Sequence, residues 1–247
     1  MTAFPLRHLE RLPLELIEGT RLVAWTHETR NGEATKVPRV PHRPETRASV
    51  TDPATWRTLE SALNAVRNGQ ATGVGRVLGD GLTVLDLDGC RDPEAGAIRP
   101  EAAVVVSRLD SYTEVSPSGT GLHVWCKGLL PPGGRRNGGI ELYDRSRYIT
   151  LTGNRIEGTP NKVEERTAQL ATLHGSVFEA PGPRSIDADL DDAVIILTLS
   201  TSKTGDALSR LEESNSPPAL SGLLLVVRAA HSLEVFPCTS KRVMPIR

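Results

Sequence analysis

In "TVLDLDGC", Thr83–Cys90, an apolar run is broken by two aspartates one residue apart. Alternate side chains of a strand share a face, so Asp86 and Asp88 stand side by side while Leu85 and Leu87 pack behind them. An Asp-Gly turn at a strand end would account for the pair. So would a nucleophilic aspartate with a neighbouring acid/base. A third account is a ligand pair for divalent ions roughly 3.5–4 Å apart, which suits in-line phosphoryl chemistry. The pair alone does not separate these readings.

Two further stretches carry chemistry. In "SPSGTGLHVW", Ser116–Trp125, Pro117 and Gly119 mark a tight turn, and Gly119 and Gly121 let the backbone approach a ligand closely. Successive N–H groups there, with the Ser118 and Thr120 hydroxyls, would cradle an anion. Leu122 and Val124 take one face of the strand that follows, leaving His123 on the other, beside the cradle. In "GIELYDRSRYITLTG", Gly139–Gly153, Glu141 alternates out of the apolar face formed by Ile140 and Leu142, and a short turn returns to Arg147. Taken singly, a hairpin with a half-buried histidine and a surface hairpin with an ion pair explain these two stretches equally well.

The elements that must position these groups are legible in outline. "RLVAW", residues 21–25, reads as a strand followed by a long polar, proline-bearing loop. "TDPATWRTLESALNAVRNG" reads as one helix, with Asp52 as cap, Pro53 in the first turn and Gly69 at the end. Its inward face would be Trp56, Leu59, Leu63 and Val66. Strands are expected at Gly73–Leu78, Leu82–Asp88, Ser111–Val115, Leu122–Lys127, Gly139–Tyr143 and Arg147–Leu151. A helix is expected over Pro100–Leu109, and another in "NKVEERTAQLATLHG" with Val163, Leu170 and Leu173 inward. The mixture predicts an α/β (α+β) domain over residues 1–180 with a mixed or antiparallel sheet. Residues 181–190 read as a linker. Residues 191–247 hold too little sustained periodicity for a core of their own and read as a partial helical C-terminal segment.

The chain of 247 residues is 38% hydrophobic and 24% charged, the composition of a globular protein. A net charge of −1 argues against indiscriminate nucleic-acid binding but not against local basic grooves. One such groove would lie between Thr29 and Arg47, where five basic residues, Lys36 and Arg39 among them, meet two acidic ones. Arg135, Arg136, Arg145 and Arg147 form a second cluster. The three cysteines make no CxxC, so structural zinc is unsupported. No apolar stretch is long enough to span a bilayer, and the N-terminus lacks the apolar core of a secretory signal, so no membrane partner and a cytoplasmic address are expected.

In order, "DLD", "SPSGTGLH" and "IELY" followed by "RYITLTG" resemble the three motifs of the archaeo-eukaryotic primase superfamily. More closely, they resemble the primase-polymerase (prim-pol) domains of phages, plasmids and integrated elements. "VAWTHETRNGEATKVP", "TDPATWRTLESAL" and "ATGVGRVLGDGLTVLDLDGC" agree with the front half of such domains, so the resemblance covers roughly residues 20–160. It implies an RRM-like sheet joined to a smaller α/β unit, with the active site in the cleft between them. It implies template-directed nucleotidyl transfer with two divalent ions, Mg²⁺ or Mn²⁺, on Asp86, Asp88 and Glu141. Ser118, Gly119, Gly121 and His123 would hold the triphosphate, with Arg147 nearby. Lys36, Arg39, Arg135 and Arg136 would contact DNA. The implied partners are a single-stranded DNA template, a primer and a dNTP or NTP. No GxxxxGK[ST] stretch occurs, so a helicase would be supplied separately or by a longer parent chain.

Two rivals stand beside this reading. "DLDG" also opens haloacid-dehalogenase-type phosphatases, but here about 85 residues precede it, and Asp191–Asp192 would come before rather than after Lys203. The other rival is a catalytically silent nucleotide- or DNA-binding module of a replication initiator.

Overall fold

Polar composition conceals two strands near the N-terminus and the outer half of a third. In the computed structural model, which describes residues 6–9, 11–30 and 32–178 and the backbone of Arg228–Ala229 and Ser232–Leu233, the expected loop after "RLVAW" is an antiparallel meander. It comprises β1 (Leu22–Arg30), β2 (Glu33–Val40) and β3 (Arg43–Arg47). Pairs such as His27↔Lys36 and Glu28↔Thr35 zip β1 to β2. Side chains that face a cleft or solvent stay polar, so these strands lack the apolar alternation that would announce them.

The helix expected from Asp52 to Gly69 is broken in two. Asp52 caps only a 3₁₀ turn, Pro53–Thr55, and α3 (Leu59–Arg67) starts afresh at Thr58, whose side chain accepts from Ser61 N–H. Trp56 therefore lies outside the helix, its indole donating to Ser49 O at 2.6 Å. Short helices α1 (Leu6–Leu9) and α2 (Leu14–Ile17) precede these elements. The helix α4 (Pro100–Leu109) matches expectation, with Pro100 in its first turn and Ala102, Val105, Val106 and Leu109 inward. The closing helix α5 is shifted to Thr167–Phe178. Val163, expected on it, is buried just before the short strand β11 (Glu164–Glu165).

Two sheets result. The first has the order β10-β4-β1-β2-β3, with β4 at Gly73–Val77 and β10 at Tyr148–Leu151. The second runs β11-β7-β5-β9-β8, with β6 paired to β7. Its members are β5 (Leu82–Leu87), β6 (Thr113–Val115), β7 (Leu122–Lys127), β8 (Arg136–Asn137) and β9 (Ile140–Tyr143). All pairs are antiparallel except β11 with β7. This is the expected α+β fold.

The faces of β5 divide the work. Leu85 and Leu87 enter a core with Leu122, Val124, Ile140 and Leu142 under α4 and α5. Leu82 and Val84 enter another with Leu22, Val74, Ile149 and Leu151 of the first sheet. Each fully buried leucine contributes about 1.5–3 kcal/mol. Asp86 shares the face of Leu82 and Val84, so it points where the two sheets meet.

These elements, all within the described residues up to Phe178, lie in one compact unit. The expected linker (181–190) and partial helical segment (191–247) fall outside the described residues. The exceptions are Arg228–Ala229 and Ser232–Leu233, which pair as the short strands β12 and β13. No helix among the described residues is long and apolar enough to cross a membrane.

Candidate active site

Strand register places five charged or ionisable side chains in one row. Glu114 lies opposite His123 across β6 and β7, and His123 opposite Asp86 across β7 and β5. Asp86 lies opposite Glu141 across β5 and β9, and Glu141 opposite Arg136 across β9 and β8. Directly opposed residues hold their Cβ atoms about 4.5–5.5 Å apart. Acid, imidazole, acid, acid and guanidinium thus face the same side of one sheet. His123 Nε2 is 3.8 Å from Asp86 Oδ1, and Nδ1 is 3.6 Å from Glu114 Oε1. Arg136 Nε meets Glu141 Oε1 at 2.8 Å.

Asp88 follows β5 and is clasped between two glycines. Its N–H donates to Gly139 O at 2.8 Å. A Cβ on Gly139 would lie 3.1 Å from Asp88 O, and one on Gly121 only 2.7 Å from Leu87 O. Close backbone approach, not backbone angle, is what requires glycine at 121. At 119 the requirement is angular, with φ at +78°.

The turn closes on itself through Ser116 N–H to Gly121 O and Gly119 N–H to Ser116 O, both 2.9 Å. The Gly119 amide expected to face an anion is therefore engaged inside the turn. Hydroxyls line it instead, Ser116, Ser118 and Thr120 being linked in a chain with 2.9 Å steps. Arg91, which the sequence did not single out, braces the turn by donating to Gly119 O at 2.8 Å.

Burial and mutual repulsion shape the charges. Asp86 titrates above the usual carboxylate range because it is desolvated and faces Asp88 and Glu141, while His123 and Lys36 partly offset this. Burial would lower the His123 pKa, but Glu114 and Asp86 outweigh it and hold the imidazole above its ordinary value. Lys36, partly buried on β2, is pushed down by desolvation and pulled back by Asp86 and Asp88. The first sheet thus brings a cation to the acidic pair.

The remaining sequence candidates divide. Arg147 is exposed and stacks on Tyr143, 4.6 Å from the ring centroid. Arg39 is bonded to Thr26 at 2.8 Å and to Glu28 at 2.5 Å. Arg135 bonds Gly134 O at 3.2 Å and lies 3.0 Å from His174 Nε2. The structure therefore brings Asp86, Asp88, His123, Glu141, Lys36 and Arg136 together and ties Arg39 and Arg135 elsewhere. Glu114 and Gly139 were missed. The signal for Glu114 was a lone acid inside the short strand "TEV", whose other residues carry no charge.

Three carboxylates are hard oxygen donors of the kind Mg²⁺ and Mn²⁺ take. Asp86 Oδ1 is buried without a hydrogen-bond partner, an orphan acceptor that a cation would satisfy. Among the described residues no three His, Cys, Asp or Glu side chains are drawn together tightly enough to close a metal cage. Arg136 holds Glu141 at its outer end. The donor set fits a divalent ion once Glu141 exchanges Arg136 for it.

Fold and site define a class: an α+β domain bearing a carboxylate–histidine row on an antiparallel sheet, beside a hydroxyl-lined turn. The chain is 31% identical over 185 residues to the "DNA Primase-polymerase" of Nitratiruptor phage NrS-1, an alignment covering 70% of this chain and 25% of that protein. The chain thus spans about a quarter of the length of the curated relative it matches. No family model matches it. The chain carries a phage-type primase-polymerase domain.

Proposed function

We propose that this domain catalyses template-directed nucleotidyl transfer on a primed single strand, as part of a replication system of a phage or other mobile element. The observation that carries the reading is the row in which Asp86 stands between His123 and Glu141, with Asp88 clasped beside it. Mg²⁺ or Mn²⁺ held by Asp86, Asp88 and Glu141 would lower the pKa of the primer 3′-hydroxyl and neutralise charge on the leaving pyrophosphate. The protein's own share is positioning. His123 Nε2 and the Ser118 and Thr120 hydroxyls donate to phosphate oxygens, and Lys36 adds positive charge from the opposite sheet. Arg147, exposed and stacked on the Tyr143 ring, would contact the nucleotide or the template backbone. Contacts of that kind would be salt-sensitive and largely sequence-independent. A helicase would act from a separate chain or a longer parent protein.

Primer extension with purified protein, Mg²⁺ or Mn²⁺ and dNTPs tests this, with Asp86→Ala/Asp88→Ala as control. Metal-dependent extension abolished in the control is expected. DNA binding without extension would leave the silent module. Phosphate release from a small phosphomonoester would revive the phosphatase.

A further inference from the structure

A carboxylate taken out of water costs several kcal/mol unless its oxygens are bonded. Glu114 is fully buried, and its two oxygens have different partners. Oε2 accepts from the N–H groups of Thr152 at 3.1 Å and Gly153 at 2.8 Å, at the end of β10, and from the Tyr112 hydroxyl at 3.3 Å. Oε1 accepts from the Trp125 indole at 3.4 Å and stands 3.6 Å from His123 Nδ1. That nitrogen is buried and has no hydrogen-bond partner. Amides and aromatic donors fix the carboxylate, and strand pairing sets His123 directly opposite it. Catalytic hydrogen bonds are often long without substrate and tighten on binding.

We propose that Glu114 is a positioning residue that accepts a hydrogen bond from Nδ1–H of His123 and so aims Nε2–H at the triphosphate of the incoming nucleotide, beside Asp86. The proposal rests on the nucleotidyl-transfer reading. The two oxygens divide the work: Oε2 fastens the two sheets, and Oε1 holds the Trp125 indole and orients the ring. Glu114→Gln separates them experimentally. Its amide oxygen can still accept from Thr152 and Gly153, while its NH₂ gives up the long Trp125 bond, faces Nδ1 and forces the ring to accept there. A ring that donates from both nitrogens in the wild type then keeps only its Nε2 proton and is no longer held by the carboxylate.

The experiment joins side-chain nitrogen NMR of ¹⁵N-histidine-labelled protein with dNTP kinetics in a double-mutant cycle against His123→Ala. Expected are a protected Nδ1 proton on His123 in the wild type and its loss in Glu114→Gln. The dNTP KM should rise about tenfold, and that rise should vanish in the His123→Ala background. A wild-type spectrum with no proton on His123 Nδ1 overturns the proposal, even if the variant does not fold. A Glu114→Gln penalty equally large without the histidine also overturns it, because it marks a purely structural fastener. Should the wild type extend no primer, the polymerase reading fails while the spectrum still decides the role of Glu114.

Discussion

The contact that most directly ties the turn to the acidic pair is the bare Cα of Gly121. A methyl group there would sit 2.7 Å from Leu87 O, 3.0 Å from Ser116 Oγ and 3.6 Å from Asp88 Cα. Ordinary carbon–oxygen contacts begin near about 3.3 Å, so Gly121→Ala forces a separation of roughly 0.6 Å between turn and strand. Leu87 O is backbone, already committed to the sheet, and cannot swing aside as a side chain would. Overpacking of this kind costs about 1–3 kcal/mol of stability. A displacement near 1 Å at a reacting centre costs about 10²-fold in rate, so kcat/KM for primer extension should fall about 10- to 100-fold.

Gly119→Ala is the matched control. Its methyl meets nothing nearer than Pro93 Cβ at 3.6 Å, but φ of +78° carries a strain of about 1–2 kcal/mol. The two variants should therefore lose similar stability in urea titrations while differing about tenfold or more in kcat/KM. Equal kinetic losses would refute the argument that proximity to Asp88 is what Gly121 provides.

Three other outcomes are expected. Arg136→Ala removes an exposed partner from Glu141, so Mn²⁺ should bind about two- to fivefold tighter by EPR titration with Tm unchanged, since such a pair contributes at most about 1 kcal/mol. Burial would raise the Asp144 pKa, but bonds from Arg145 and the Leu130 N–H outweigh it and hold the carboxyl below its usual range. The group therefore stabilises the fold above the unfolded pKa and ceases to as pH falls through the folded one. Wild type should exceed Asp144→Asn by about 1–2 kcal/mol at pH 7, and the gap should close below about pH 4. Cys90 and Cys126 are buried, with thiols pushed up to about 11 and about 12, so neither should react with a thiol reagent at pH 8 until denaturant is added, as peptide mapping of labelled protein would show.

How much of this site could be read in advance follows from what each signal depends on. Asp86, Asp88, His123 and Glu141 were legible because strand alternation is local: each polar side chain interrupts an apolar run on a known face. Their assembly into one row was not, because register is set by hydrogen bonds between segments as much as 55 residues apart, and a slip of one position would turn every one of them to the other face. The same limit explains the arginines. Composition groups Arg135 with Arg136, yet Arg135 lies just before β8 and Arg136 on it, and one meets His174 and the other Glu141. The polar outer half of β1 and strands β2 and β3 were missed for a related reason, since their pattern reports exposure rather than backbone state.

Glu114 exposes the deepest part of the problem. Pattern rules treat a buried acid as an error, and its four donors come from Tyr112, Trp125, Thr152 and Gly153, which no window of sequence unites. A lone acid in a buried strand is therefore worth reading as a demand: somewhere in the chain there must be donors enough to hold it. Here β10 of the first sheet and β7 of the second supply them together. Assembly of the site and docking of the two sheets are on this argument one event, because the carboxylate beside His123 is satisfied only when β10 is in place.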